Sequence, residues 1–121
     1  MADLNKVLLI GRLGAKPEMK ATPAGGAVAR MRLATGRVRK GEGEKDDVHE
    51  TDWHDVIAFG KLAETCGSFL EKGRQVFVEG RISSDVWTDK DGKRRLSREV
   101  IARRVDFLDR KPLEQAQATA G

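Results

Sequence analysis

Apolar and polar residues alternate along most of this chain with the period of two that marks half-buried β-strands. From position 28, Ala29, Met31 and Leu33 fall on one side and Arg30 and Arg32 on the other, which predicts a strand with a basic outer face. Positions 53–59 repeat the pattern: Trp53, Asp55, Ile57 and Phe59 point one way, and His54, Val56 and Ala58 the other. Positions 75–87 read as a further strand with Val76, Val78 and Ile82 inward and a bend at Gly80. Asp91-Gly92 marks a hairpin tip, and the last strand covers 94–108. The first strand differs. Between 5 and 13, Val7, Leu8, Leu9 and Ile10 are apolar on both faces, so it is central or covered by a second subunit.

The remaining segments break this rhythm. Positions 14–27 hold Pro17, Pro23, Gly25 and Gly26 and read as a loop or broken hairpin. Positions 38–50 are charged and glycine-bearing, with almost nothing to bury, and are expected to form a long, mobile loop. One helix is predicted over 61–72, where Leu62, Cys66, Phe69 and Leu70 make a single apolar stripe and Gly73 stands at the C-terminus. Gly67 inside it costs about 1 kcal/mol relative to alanine, so the helix depends on docking. The order is strand, strand, strand, helix, strand, strand. That order matches a five-stranded antiparallel Greek-key barrel with a helix between strands 3 and 4, the OB-fold, over 1–110. A generic α+β roll fits the same pattern. Residues 111–121 are small and polar and are expected to form a short disordered tail.

Composition narrows the class. At 121 residues the chain is one domain, large enough to fold without disulfide or metal. No apolar run approaches the roughly 20 residues of a membrane span, and the N-terminus is too short and polar for a signal peptide. The single cysteine, Cys66, cannot form an internal disulfide or a cysteine-rich zinc site. A soluble cytoplasmic protein with no membrane association is expected. The formal net charge of +4 hides a segregated distribution. Five basic residues and no acid lie between 30 and 40, and eight basic against three acidic lie between 93 and 111. Seven acids and one lysine occupy 41–55. Clustered cations favour a polyanionic partner, although a merely solvated basic surface would look the same.

Aromatic residues are few, two tryptophans and four phenylalanines without tyrosine, so their placement is informative. Trp53 and Phe59 share a strand face with Asp55, and a face carrying an unpaired carboxylate is not a core face. Trp87 approaches the hairpin among Asp85, Thr88 and Asp89. Flat rings near arginine and lysine suit unpaired bases, each stacked base contributing roughly 1–3 kcal/mol. The competing reading makes both tryptophans partly buried structural residues.

Six segments carry a resemblance: NKVLLIGRLG at 5–14, PAGGAVA at 23–29, LAT at 33–35, TDWHDVIAFGKLAE at 51–64, FLEKGRQVFVEG at 69–80 and WTDKDG at 87–92. In this order and spacing the chain resembles the bacterial single-stranded DNA-binding protein family over residues 5–108. The resemblance implies an OB-fold that assembles as a homotetramer built from dimers. It also implies that single-stranded DNA is the partner, bound without sequence preference during replication, recombination and repair, with no catalysis, cofactor or metal and a nucleoid-associated location.

The family's stacking aromatics correspond to Trp53, Phe59 and Trp87, and its phosphate-contacting lysines to Lys61 and Lys72. Arg39 stands where the family often has a further aromatic, implying weaker stacking and stronger salt dependence. Lys93, Arg94 and Arg95 add a basic cluster at the hairpin. The subunit interface is expected to involve Lys6, Val7, Leu8, Leu9, Ile10, His54 and Phe77. The family usually ends in an acidic tip that recruits enzymes; the sequence ends at Ala120-Gly121 without one, so tail-mediated partners are not carried over.

Two rival readings remain. His49 and His54 lie among acids, as in some metal nucleases, but no helical His-x-x-x-His or cysteine pair accompanies them. Cys66, on the helix's apolar stripe, reads as a packed thiol rather than a nucleophile. The other rival is an OB-fold replication-restart or RNA-binding interaction protein.

Overall fold

The structure, a computed structural model, describes residues 2–109, so the tail expected over 111–121 lies outside the described residues. The elements in chain order are β1 (Val7–Leu13), β2 (Glu18–Ala21), β3 (Ala27–Arg39), β4 (Val48–Phe59), α1 (Gly60–Phe69), β5 (Gln75–Thr88) and β6 (Arg94–Phe107). Strands run in the order β1-β5-β6-β4-β3-β2, and β1 also pairs with β3 through Arg12↔Ala34 and Leu13↔Leu33. That last pairing closes the sheet into a barrel of five long strands, with β2 as a short outer addition to β3. This is the OB-fold architecture.

The expected alternation fills the barrel. Leu13, Ala29, Met31, Leu33, Val56, Ala58, Val76, Val78, Val100 and Ala102 point inward and are buried, and α1 closes one end with Ala63 and Cys66. Leu70, just past the helix, is buried with them. Burial pushes the Cys66 thiol pKa up to about 11, because an apolar surrounding disfavours the thiolate. The gap expected over 14–27 is the broken hairpin: β2 pairs with β3, with Lys20 opposite Val28.

Five features depart from the sequence reading. The segment expected as a loop over 38–50 shrinks to 40–47, because β3 and β4 pair continuously out to Arg39↔Val48. Backbone ladder bonds hold that extension although its side chains have no core beneath them. Ile82 keeps the inward parity of Val76 and Val78 but is exposed: its β6 partner Val100 is buried, yet the pairing of β1 with β5 ends at Val7↔Gly80, so no paired strand flanks Ile82 on that side. Beyond Gly80 the remaining residues of this 14-residue strand are half-buried or exposed. The helix stops at Phe69, with the Leu70 N–H bonded to the Cys66 carbonyl, so Lys72 lies beyond it. Phe69 is exposed rather than inward, its ring 6.4 Å from that of Phe107. Finally, the sheet is not wholly antiparallel: β4 meets β6 in parallel at Val56↔Val100 and Ile57↔Ile101.

Two projecting hairpins result, one from the ends of β3 and β4 and one from β5 and β6. At the base of the second, Arg103 is an extra residue on β6 between the pairs Glu79↔Arg104 and Gly80↔Ala102. Gly80 is required there by close approach: a Cβ would stand 2.2 Å from the Ile101 carbonyl oxygen. At its tip Gly92 adopts φ +80°, a left-handed conformation glycine takes without strain.

Candidate nucleic-acid interface

Strand parity and register gather the three predicted rings. Trp53, Asp55, Ile57 and Phe59 share the outer side of β4, opposite Ala34, Arg32, Arg30 and Val28 of β3, although Ile57 is covered by its neighbours and buried. The β4–β6 contact sets Ile57 beside Ile101, and Ile101 pairs in turn with Arg81 on β5. Counting outward in steps of two along β5 from Arg81 reaches Ser83, Asp85 and Trp87. Trp53, Phe59 and Trp87 therefore lie on one continuous outer face of the sheet β3-β4-β6-β5. Their side chains are 49%, 50% and 49% exposed, so the rings are neither sealed in the core nor loosely hung in solvent. Each therefore offers part of its surface to a ligand.

Cations are interleaved with the rings. The Arg32 guanidinium sits 5.3 Å from the Trp53 ring centroid, and the rim of that indole packs on Gly14, where a Cβ would stand 2.5 Å from Cζ3. Arg30 bonds Glu99 at 3.0 Å across the same face. Arg95 stands directly opposite Trp87, and its Nε donates to Asp89 Oδ2 at 2.8 Å. Asp89 Oδ1 also accepts from the backbone N–H groups of Asp91 and Lys93 at 2.9 Å. Arg95 first, then the Lys93 N–H, hold the Asp89 carboxyl below its ordinary pKa. The Asp89 carboxylate thus builds the hairpin tip and fixes Arg95 beside the ring.

The other expected cations divide. Lys61 is exposed on the first turn of α1, two residues past Phe59, and Lys72 is exposed between α1 and β5. Lys93 and Arg94 are exposed at the tip, Arg94 opposite Thr88 on the reverse side of the hairpin from Trp87. Arg39 is not on the Trp53 side. It pairs in register with Val48, on the opposite face of the β3–β4 hairpin, and its Nε lies 3.4 Å from Glu50.

The expected interface residues divide similarly. Leu8 and Ile10 point outward, 58% and 57% exposed, with Ile10 opposite Phe77 and Leu8 opposite Glu79. Val7 and Leu9 turn inward against the core, because a strand alternates its faces. Lys6 lies 3.7 Å from Glu79, whose carboxyl pKa is lowered chiefly by the Arg103 hydrogen bond. His54 is elsewhere: half-buried on β4, it bonds Thr35 Oγ1 through Nε2 at 2.8 Å. His49, five positions along β4, falls on the other face, so the two histidines do not converge. Among the described residues no cluster of His, Cys, Asp or Glu could hold a metal, and no helix is long and apolar enough to cross a membrane.

Arg30, Arg32, Arg81 and Asp89 also stand at this face, beyond the DNA-contacting residues expected from sequence. The alternation at 29–33 marks Arg30 and Arg32 as outward, but only the register with β4 shows which aromatic each one meets.

Comparison with known proteins bears on the family and the fold. Residues 4–108 match the Single-strand binding protein family. A single-stranded DNA-binding protein of Xanthomonas campestris pv. campestris is 43% identical over 105 residues, 87% of this chain and 60% of that protein, so the chain spans about three-fifths of its relative's length. Among solved structures, a Plasmodium falciparum SSB in complex with single-stranded DNA superposes with a TM-score of 0.78 at 30% identity, covering 90% of this chain and 98% of the other. A deletion mutant of the single-stranded DNA-binding protein from Thermus aquaticus gives 0.75 at 38% identity, covering 88% of this chain and 51% of that one. With the family matched along almost the whole described barrel, and close relatives in both sequence and shape, the chain belongs to the Single-strand binding protein family.

Proposed function

We propose that this protein binds single-stranded DNA without base preference, by stacking bases on Trp53, Phe59 and Trp87 while cations follow the phosphates. The observation that carries this reading is the half-exposure of three rings on one sheet face with arginines between them. Every base has a π-face, so a stacking platform is sequence-tolerant, and phosphate contacts carry no base information. Lys61, Lys72, Lys93, Arg94 and Arg95 supply phosphate contacts in this reading, as does Arg39 once it exchanges its carboxylate partner for DNA. Arg32, held over Trp53, adds a cation beside the first ring. The role is protective, covering single strands exposed in replication, recombination and repair, in the nucleoid of a cell's cytoplasm. It requires no cofactor and no chemical step.

Assembly is part of the proposal. The outward Leu8, Ile10 and Phe77 form an apolar patch on β1 and β5 suited to a second copy, and pairing of dimers gives the homotetramer. His54 and Lys6 are assigned to subunit contacts by family resemblance alone.

Titrating poly(dT) while following tryptophan emission tests the reading. Quenching that saturates at low salt, and weakens steeply as salt rises, is expected. Unchanged emission, or tighter binding to structured RNA than to poly(dT), would overturn it and favour the RNA-binding alternative.

A further inference from the structure

The cations of the β3–β4 hairpin fall into two groups. On the Trp53 side, Arg32 rests over an indole and has no carboxylate partner among the described residues, while Arg30, nearer the barrel, bonds Glu99 of β6 rather than an acid of the hairpin. On the reverse side, Arg37 bonds both Glu50, at 2.5 Å, and Asp52, at 3.0 Å, and Arg39 lies 3.4 Å from Glu50. Register explains the cluster: Arg37 is directly opposite Glu50, while Thr35 opposite Asp52 and Val48 opposite Arg39 set the other two charges one diagonal away. All four charged groups thus lie on one face of a projecting hairpin.

These pairs are not needed to hold the hairpin. Backbone pairing runs unbroken from Val28↔Phe59 to Arg39↔Val48, and exposed ion pairs add little to stability. Their larger consequence is for a competing anion. A phosphate chain reaching Arg37 or Arg39 must displace a carboxylate already in place.

We infer that Glu50 and Asp52 are affinity-setting residues: they compete with DNA phosphate for Arg37 and Arg39 and keep the hairpin's grip on a single strand looser than its cations alone would make it. The inference rests on the single-strand-binding reading and deepens it. A weakened contact shortens the lifetime of the bound strand at this hairpin, which suits a protein that must be displaced from the DNA it covers.

The test uses the full chain, an end-labelled oligo(dT) and fluorescence anisotropy at about 0.1 M salt, where an exposed pair is still only partly screened. Glu50→Gln is expected to tighten binding about two- to fivefold, the range that an exposed ion pair's worth converts to. Asp52→Asn is expected to act in the same direction, and circular dichroism checks that both variants stay folded. Glu44→Gln is the charge-matched control, since Glu44 is exposed in the adjoining loop and has no ion pair among the described residues. In an Arg37→Ala, Arg39→Ala background the Glu50→Gln gain should fall to the level of that control, because the competed cations are gone. An unchanged affinity, a gain equal to that of Glu44→Gln, or the same gain in both backgrounds would overturn the inference while leaving single-strand binding intact. Absence of oligo(dT) binding by the unmodified protein would overturn both.

Discussion

Replacing Trp53 with alanine separates stacking from charge. The indole is about half covered, its rim on Gly14 and the Arg32 guanidinium 5.3 Å from its centre. Half of the roughly 150–250 Å² an aromatic side chain can bury, at about 25 cal/mol per Å², makes the stability cost about 2–3 kcal/mol as an upper estimate. Loss of the cation–π contact adds about 0.5–1 kcal/mol. Those terms act on folding, and the barrel interior is untouched because Trp53 lies on the outer face. Binding loses a different quantity: one stacked base, roughly 1–3 kcal/mol, or about five- to 150-fold in affinity. The assay is anisotropy of labelled oligo(dT) across a salt series, with thermal unfolding measured in parallel. Removing a neutral ring should lower affinity by a near-constant factor at every salt concentration, since no phosphate contact is lost. An affinity within about twofold of the original protein, in a variant that remains folded, would refute the assignment of this ring as a stacking surface.

Lys61→Ala should behave in the complementary way, reducing the log–log salt slope by at most about 0.7 for a single strand while changing tryptophan quenching little. Gly80→Ala is expected to destabilise the barrel by about 1–3 kcal/mol in a denaturant titration, because the new methyl group would meet a backbone carbonyl at 2.2 Å. Gly67→Ala meets only the Met19 side chain, with Sδ at 2.5 Å, Cε at 2.9 Å and Cγ at 3.1 Å; that flexible chain has to swing aside, so the gain in helix propensity of about 1 kcal/mol should roughly offset the disturbance in a denaturant titration. The raised Cys66 pKa makes the folded state hold its thiol proton more tightly than the unfolded chain. Stability from this group is complete below pH 9.0 and is lost as pH rises towards about 11, by no more than about 1.4 kcal/mol per pH unit. Urea titrations across that window, with Cys66→Ala as the reference lacking the group, measure it.

Local pattern alone determines much of this protein. Alternation at 28–33, 53–59 and 75–80 is a property of consecutive residues, and it fixed which side chains enter the barrel and which face out. The aspartate beside Trp53 already spoke against burial of that ring. The Asp91-Gly92 tip was legible because a left-handed turn residue is a local requirement. Chain pairing, by contrast, decided how far each strand continues. Nothing in the polar composition of 34–39 and 48–52 announces a strand; those residues are held by cross-strand backbone bonds, whose partners are distant in sequence. The same extension leaves Ile82 exposed, since inward parity buries a side chain only where the barrel still encloses it. Register also decided the charge chemistry. It placed Arg32 over Trp53, Arg95 beside Trp87, and Arg39 among acids on the reverse face, three arginines that are equivalent as letters. A sequence specifies what each residue can offer to its immediate neighbours, whereas which guanidinium meets a ring and which meets a carboxylate depends on contacts between strands that only the closed barrel brings together.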